Sequence, residues 1–293
     1  MSEQFPTLEL EQQAQLLRER DADIAALRHE LEETNRGVVA LYAELDDQAA
    51  QLKEALDLKS RFLSYMSHEF RTPLASVYSL SGILLRGMDG PLSGEQTRQL
   101  EFIRGSIREL TDMVDDLLDL AKVDAGRVSV SPEWFEMVDL FAALRGMFKP
   151  IIANSTVSLI FAEPETAPRI YSDDRRLSQI LRNFISNALK FTHEGEVRVS
   201  ARAVGNTQIE FAVTDTGVGI EPEHLPNLFV DFVQINTPLQ RRLRGSGLGL
   251  SLSRKLAELL GGRVGAESTL GVGSRFWVVI PVTYDGSQGS IRR

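Results

Sequence analysis

FLSYMSHEFRTPL, residues 62–74, carries apolar side chains at Leu63, Met66, Phe70 and Val77, a three- to four-residue spacing that predicts a helix with a buried seam. His68 lies two positions from both Met66 and Phe70. At ~100° per residue it projects away from that seam, toward solvent. Glu69 is its neighbour, Thr72 stands one turn on along the same face, and Pro73 follows. A carboxylate beside an exposed imidazole can hydrogen-bond one ring nitrogen and leave the other nucleophilic.

The rest of the chain narrows what such a histidine could serve. With 293 residues there is room for about two domains, and 43% hydrophobic with 25% charged residues is ordinary for a globular protein. The net charge of −9 is uneven: residues 1–60 hold fourteen acidic and six basic side chains, so the remainder is near neutral. A basic footprint is missing, and no nucleic-acid partner is expected. The absence of cysteine excludes disulfides and cysteine-ligated zinc and fits a reducing cytosol. No run approaches eighteen apolar residues and MSEQFPTLELEQQ has no signal pattern. The expectation is a soluble, cytoplasmic chain without a membrane span, or a piece of a longer or anchored one.

Residues 1–57 read as a coiled-coil signalling helix. Leu10, Leu17, Ile24, Leu31, Val38, Leu45 and Leu52 recur every seven residues. The second seam position is poor in either register, so the coil is expected to be weak or adjustable. A second series, Leu56, Leu63, Phe70, Val77 and Leu84, is offset by four. It is either a stutter that unwinds the supercoil or one register whose stronger side switches.

Residues 58–128 read as a helical hairpin. RGMDGPLSGEQ (86–96) is a turn, and Leu100, Ile103, Ile107, Leu110, Val114, Leu117, Leu118 and Ala121 mark a second amphipathic helix. Ser93 is its expected N-cap, with Gln96 completing a capping box. A lone hairpin exposes an apolar stripe, which predicts a homodimer closing a four-helix bundle.

From about 129 to 286 the pattern becomes short strands alternating with helices. VSLIFA (157–162), VRVSARA (197–203), QIEFAVTD (208–215) and RFWVVIPV (275–282) read as strands; 174–192 and 248–262 read as helices. The expected fold is α+β: coiled coil, dimerising hairpin, then an α/β sandwich with helices on one sheet face. Residues 287–293 read as a flexible tail.

Phosphate-binding chemistry gathers in that last domain. Asn183 and Asn187 share a helix face, with Lys190 beyond them. Amide oxygens suit a Mg²⁺ whose charge phosphates already meet, and lysine supplies a point charge. DTGVGI (215–220) follows a strand, where a carboxylate can accept from an exocyclic amine. GSGLGL (245–250) opens a helix, which offers amides and a positive dipole end. The Walker lysine and a β-α-β dinucleotide context are both absent.

Taken in order, RNFISNALKFT, DTGVGI, LFVDF, GSGLGL and GSRF resemble the boxes of the Bergerat ATP-binding fold shared by DNA gyrase, heat-shock chaperones, mismatch-repair ATPases and histidine kinases. With the His68 box upstream, the resemblance over residues 58–283 is to the sensor histidine kinases of two-component systems. It implies ATP and Mg²⁺ as cofactors, with Asn187 as metal ligand and Asn183 beside the phosphates. Lys190 would contact phosphate, Asp215 the adenine amine, and Ser274 the back of the adenine pocket. Gly217, Gly219, Gly245, Gly247, Leu248 and Gly249 would shape pocket and lid base. His68 would be the phospho-acceptor, Glu69 its base, and Thr72 the residue that positions water for dephosphorylating a separate response regulator, unless it merely eases a kink before Pro73. The pattern departs at Val230-Asp231-Phe232, where the family has Glu-Pro-Phe. Arg241, Arg242 and Arg244 are γ-phosphate candidates in the lid or a solvated basic loop. A degenerate or phosphatase-dominant scaffold is the alternative function.

Overall fold

The structure, a computed structural model, describes residues 5–88, 90–153, 155–162, 169–233 and 247–286. Its first helix, α1, runs from Phe5 to Leu85 and continues through Pro73. The chain divides into two units after Leu58. In the first, Leu17, Ile24, Leu31, Val38, Leu45 and Leu52 are all exposed. The side chain of Leu10 lies outside the described residues.

In the second unit α1 turns back through residues 86–93 into α2, Gly94–Asp124. The capping box forms as read: Ser93 Oγ accepts from the Gln96 amide at 3.2 Å, and Gln96 Oε1 from the Ser93 amide at 2.8 Å. The seam needs correction. Leu63 and Met66 are half-buried, but Phe70 and Val77 are each 46% exposed. Among the described side chains, the buried positions on this part of α1 are Ser67, Ser81 and Gly82. Gly82 faces the Arg104 side chain of α2, while Phe70, Val77 and Leu84 of α1 and Ile103, Leu110 and Met113 of α2 are exposed. Polar ties complete the hairpin. Arg71 pairs with Asp115 at 2.7 Å, and the Tyr78 phenol oxygen accepts from Arg104 and Arg108, both at 2.9 Å.

The α/β part begins with β1 (Glu133–Phe135) and α3 (Met137–Ile152), then β2 (Val157–Ala162), β3 (Ile170–Ser172), α4 (Asp174–Phe191), β4 (Gly195–Val204) and β5 (Gln208–Asp215). A 3-10 turn (Pro222–Asn227), α5 (Gly249–Leu259), β6 (Arg263–Thr269) and β7 (Gly273–Pro281) complete it. The main sheet has the order β2-β4-β5-β7-β6, with β2 parallel to β4 and the other pairs antiparallel; β1 and β3 pair apart. Alternation explains its sidedness. Val197 and Val199, Ile209, Phe211 and Val213, and Phe276, Val278 and Ile280 are buried on one face. Against them α4 lays Leu177, Ile180, Leu181, Phe184, Ile185 and Ala188, an i, i+3, i+4 stripe. The opposite face carries a charge ladder in which Glu210 accepts from both Arg202 and Arg275.

α2 also packs on the α/β part. Asp119 accepts from Gln179 of α4 at 2.9 Å. Nearby, burial and the neighbouring carboxylates of Asp112, Asp119 and Asp115 push the Asp116 carboxyl up to about 6, with Arg182 opposing. A folded value above the unfolded ~3.9 means that stability falls as pH rises from about 4 through 6 and stays lost above it. Asp116→Asn should therefore raise the thermal midpoint at pH 8 and raise it much less at pH 4.5. Thermal unfolding at both values checks this; an equal gain at both would mean that the charge is not the cause.

Candidate functional site

Four elements bring the expected nucleotide residues together. α4 carries Asn183 and Asn187 one turn apart, and Asn187 Nδ2 donates to Asn183 Oδ1 at 3.4 Å. Asn183 Nδ2 donates to Ser253 Oγ at 2.8 Å, and that hydroxyl donates to the Gly249 carbonyl at 2.9 Å. The chain of bonds ties α4 to the first turn of α5 and fixes both amides. A Cβ at Gly249 would sit 2.4 Å from Asn183 Oδ1. With its donor end spent on Asn183, Asn187 presents its carbonyl oxygen as the end available to a cation.

Asp215 ends β5 opposite Ser274 of β7. Its Oδ1 accepts from the Gly217 amide at 2.9 Å and the Ser274 amide at 3.2 Å, which leaves Oδ2 for a further donor. Burial pushes its carboxyl up against those two amide bonds, so a donor arriving at Oδ2 would favour the carboxylate. The backbone crowds this corner: a Cβ at Gly273 would meet the Asp215 carbonyl oxygen at 2.0 Å, and one at Gly219 (φ 69°) would meet that of Thr269 at 2.1 Å. Ser274 Oγ lies 3.0 Å from Ser268 Oγ. Burial pulls the Lys190 ammonium down, opposed by Glu109 of α2. A phosphate there would favour the charged form.

Not every expected residue is a side-chain ligand. Leu248 is buried in the core, so only its backbone can face a phosphate. Gly247 (φ 69°) accepts from the Phe232 amide at 3.2 Å. Gly245, Arg241, Arg242 and Arg244 lie outside the described residues. Thr192 was missed. It is 4% exposed, and its hydroxyl has no hydrogen-bond partner. A Cβ at Gly217 would lie 2.9 Å from both Thr192 Oγ1 and Asp215 Oδ1, so an orphaned hydroxyl stands at the same corner as the carboxylate. Such an atom fits a pocket that receives a polar ligand.

On α1, His68 and Glu69 are exposed and share no hydrogen bond. Adjacent helical positions diverge by ~100°, so Glu69 reaches the ring only after rotamer change. Thr72 Oγ1 donates to the His68 carbonyl at a long 3.4 Å.

Two family descriptions match this chain: the His Kinase A (phospho-acceptor) domain over residues 58–126, and the histidine kinase-, DNA gyrase B- and HSP90-like ATPase over 172–284. The chain belongs to the sensor histidine kinases of two-component systems. Similar proteins include the histidine protein kinase DivJ of Caulobacter vibrioides, 39% identical over 80% of this chain and 40% of its own length. The autoinducer 2 sensor kinase/phosphatase LuxQ of Vibrio cholerae is 33% identical over 82% of this chain. This chain spans only 28% of LuxQ and 40% of DivJ, so these relatives are much longer. Among solved structures, full-length ShkA in complex with AMPPNP is 31% identical, with a TM-score of 0.63 over 77% of this chain and 46% of ShkA. ThkA in complex with the response regulator TrrA, 22% identical with a TM-score of 0.55 over 79% of this chain and 64% of that chain, shares the fold. No helix among the described residues is long and apolar enough to cross a membrane.

Proposed function

We propose that this kinase transfers the γ-phosphoryl group of ATP to His68 and passes it to an aspartate of a separate response regulator, which it also dephosphorylates. A nitrogen of the His68 ring forms the bond to phosphorus while the bond to the β–γ bridging oxygen breaks. ADP leaves with that electron pair, and Glu69 takes the ring proton. Lys190 offsets phosphate charge, Asp215 Oδ2 receives the adenine amine, and the amides opening α5 face the phosphates. Mg²⁺ would be held by Asn187 together with the nucleotide and would supply further charge neutralisation.

The observation that carries the reading is the pairing of an exposed histidine on a hairpin helix with a buried carboxylate whose second oxygen is unspent. Exposed Phe70, Val77 and Leu84 on α1, with exposed Ile103 and Leu110 on α2, support a homodimer that closes a four-helix bundle. Incubation with labelled ATP should give an acid-labile, alkali-stable phosphoprotein. Acid-stable label, or none in the presence of Mg²⁺, would end the proposal.

Thr72 should separate the two activities. Its hydroxyl is exposed one turn from His68 and makes no demand on transfer from ATP. Thr72→Ala should leave autophosphorylation within about threefold while regulator dephosphorylation falls by about tenfold or more, ~1.4 kcal/mol of transition-state stabilisation. Parallel loss of both activities would make Thr72 a residue of the helix bend.

A further inference from the structure

One cation outside the pocket has two claimants. Lys255 Nζ, on α5, pairs with Asp124, the last residue of α2, and also lies 3.6 Å from Asp231. The three groups come from three places: the hairpin end, the helix behind the phosphate-facing amides, and the segment where Val-Asp-Phe stands in place of Glu-Pro-Phe. They are partly sheltered, with side-chain exposures of 25%, 25% and 39% for Lys255, Asp124 and Asp231. Asp231 precedes Phe232, the one non-glycine residue of positive φ (62°) among those described, so this segment is held in a conformation it would not choose alone.

We propose that Lys255 is a positioning residue that exchanges between two partners: with Asp124 it seats the ATP-binding domain on α2, and with Asp231 it stays paired when that domain leaves. Ion pairing explains why an exchange is useful. A sheltered ammonium that lost its only carboxylate would resist release, whereas a second acceptor on its own domain lowers the cost of undocking. The seated arrangement is a resting one. Here α2 turns carboxylates toward α4: Asp119 binds Gln179, and Glu109 is the charged neighbour of Lys190. Phosphate brought to Lys190 would be repelled by Glu109, so nucleotide binding and seating oppose each other. The inference rests on the autokinase reading only for its activity arm.

The native chain has no cysteine, so two can be introduced for spin labels. Glu101→Cys on α2 and Lys149→Cys on α3 put labels at exposed positions on hairpin and ATP-binding domain. Full-length labelled chain, diluted with unlabelled chain, reports the distance distribution between them. Asp124→Asn should shift the population to longer distances and raise autophosphorylation severalfold. Asp231→Asn should sharpen the short-distance population and lower autophosphorylation severalfold. In a Lys255→Met background neither asparagine should move the distances. Shifts in the same direction, no shift, or effects that persist without Lys255 would overturn the proposal. The distance arm reports even if the parent transfers no phosphoryl group, so failure of the kinase reading and failure of the exchange are told apart.

Discussion

His68→Gln should eliminate the acid-labile label, a fall in autophosphorylation on the order of 10³-fold or more. Glutamine approximates the size and polarity of imidazole but has no nucleophilic nitrogen. The side chain is exposed on α1, so its replacement leaves the hairpin packing at Ser67, Ser81 and Gly82 untouched. Circular dichroism and the thermal midpoint should match the parent, and ATP should bind with unchanged affinity because the pocket lies on other elements. The variant thus isolates the acceptor from everything that feeds it. Label of the same acid lability surviving in His68→Gln would move the acceptor to another of the four histidines.

Asp215→Asn and Asn187→Ala should fail in different ways. Gly217 and Ser274 amides both donate to Asp215 Oδ1. An asparagine keeps its oxygen toward those two donors and turns its NH₂ to the place of Oδ2. A donor would then meet the adenine amine, another donor, and ATP affinity should fall by about 10- to 100-fold, ~1.4–2.7 kcal/mol. Asn187→Ala removes the proposed metal ligand but leaves that corner intact. Autophosphorylation should fall by about 10²-fold at every Mg²⁺ concentration, with ATP affinity within a fewfold of the parent. Calorimetric titration with a non-hydrolysable ATP analogue, beside initial rates, separates the two. Parent-like binding by Asp215→Asn would displace the base from this corner.

What could be read from residues alone follows from how local each signal is. Strands β2 and β5 begin and end where apolar alternation does, at 157–162 and 208–215. β6, RVGAEST, carries no such alternation; it is a strand because β7 pairs with it from Thr269 back to Arg263. Helix α3 holds Pro150 in its last turn and hides behind an apolar run that fits either helix or strand. The coarse site was legible because Asn183, Asn187, Asp215 and the glycines sit in contiguous motifs. Thr192 was not, because its orphaned hydroxyl exists only once α4 ends against the loop after β5. Nor was Lys255, whose partner Asp124 lies 131 residues away. The outward turn of Phe70 and Val77 escaped for a related reason: helical spacing reveals an apolar stripe without saying whether α2 or a second chain covers it.

The pocket corner described above is walled by main chain more than by side chains. Added atoms at Gly217, Gly219, Gly249 and Gly273 would stand 2.0 to 2.5 Å from existing ones, three of these contacts being backbone carbonyl oxygens. An inhibitor shaped to this corner would be recognised by groups that mutation cannot swap. The smallest evasive change, glycine to alanine, would deform the proposed seat of the nucleotide itself. Substitutions that evade such an inhibitor should therefore arise elsewhere than at these four glycines.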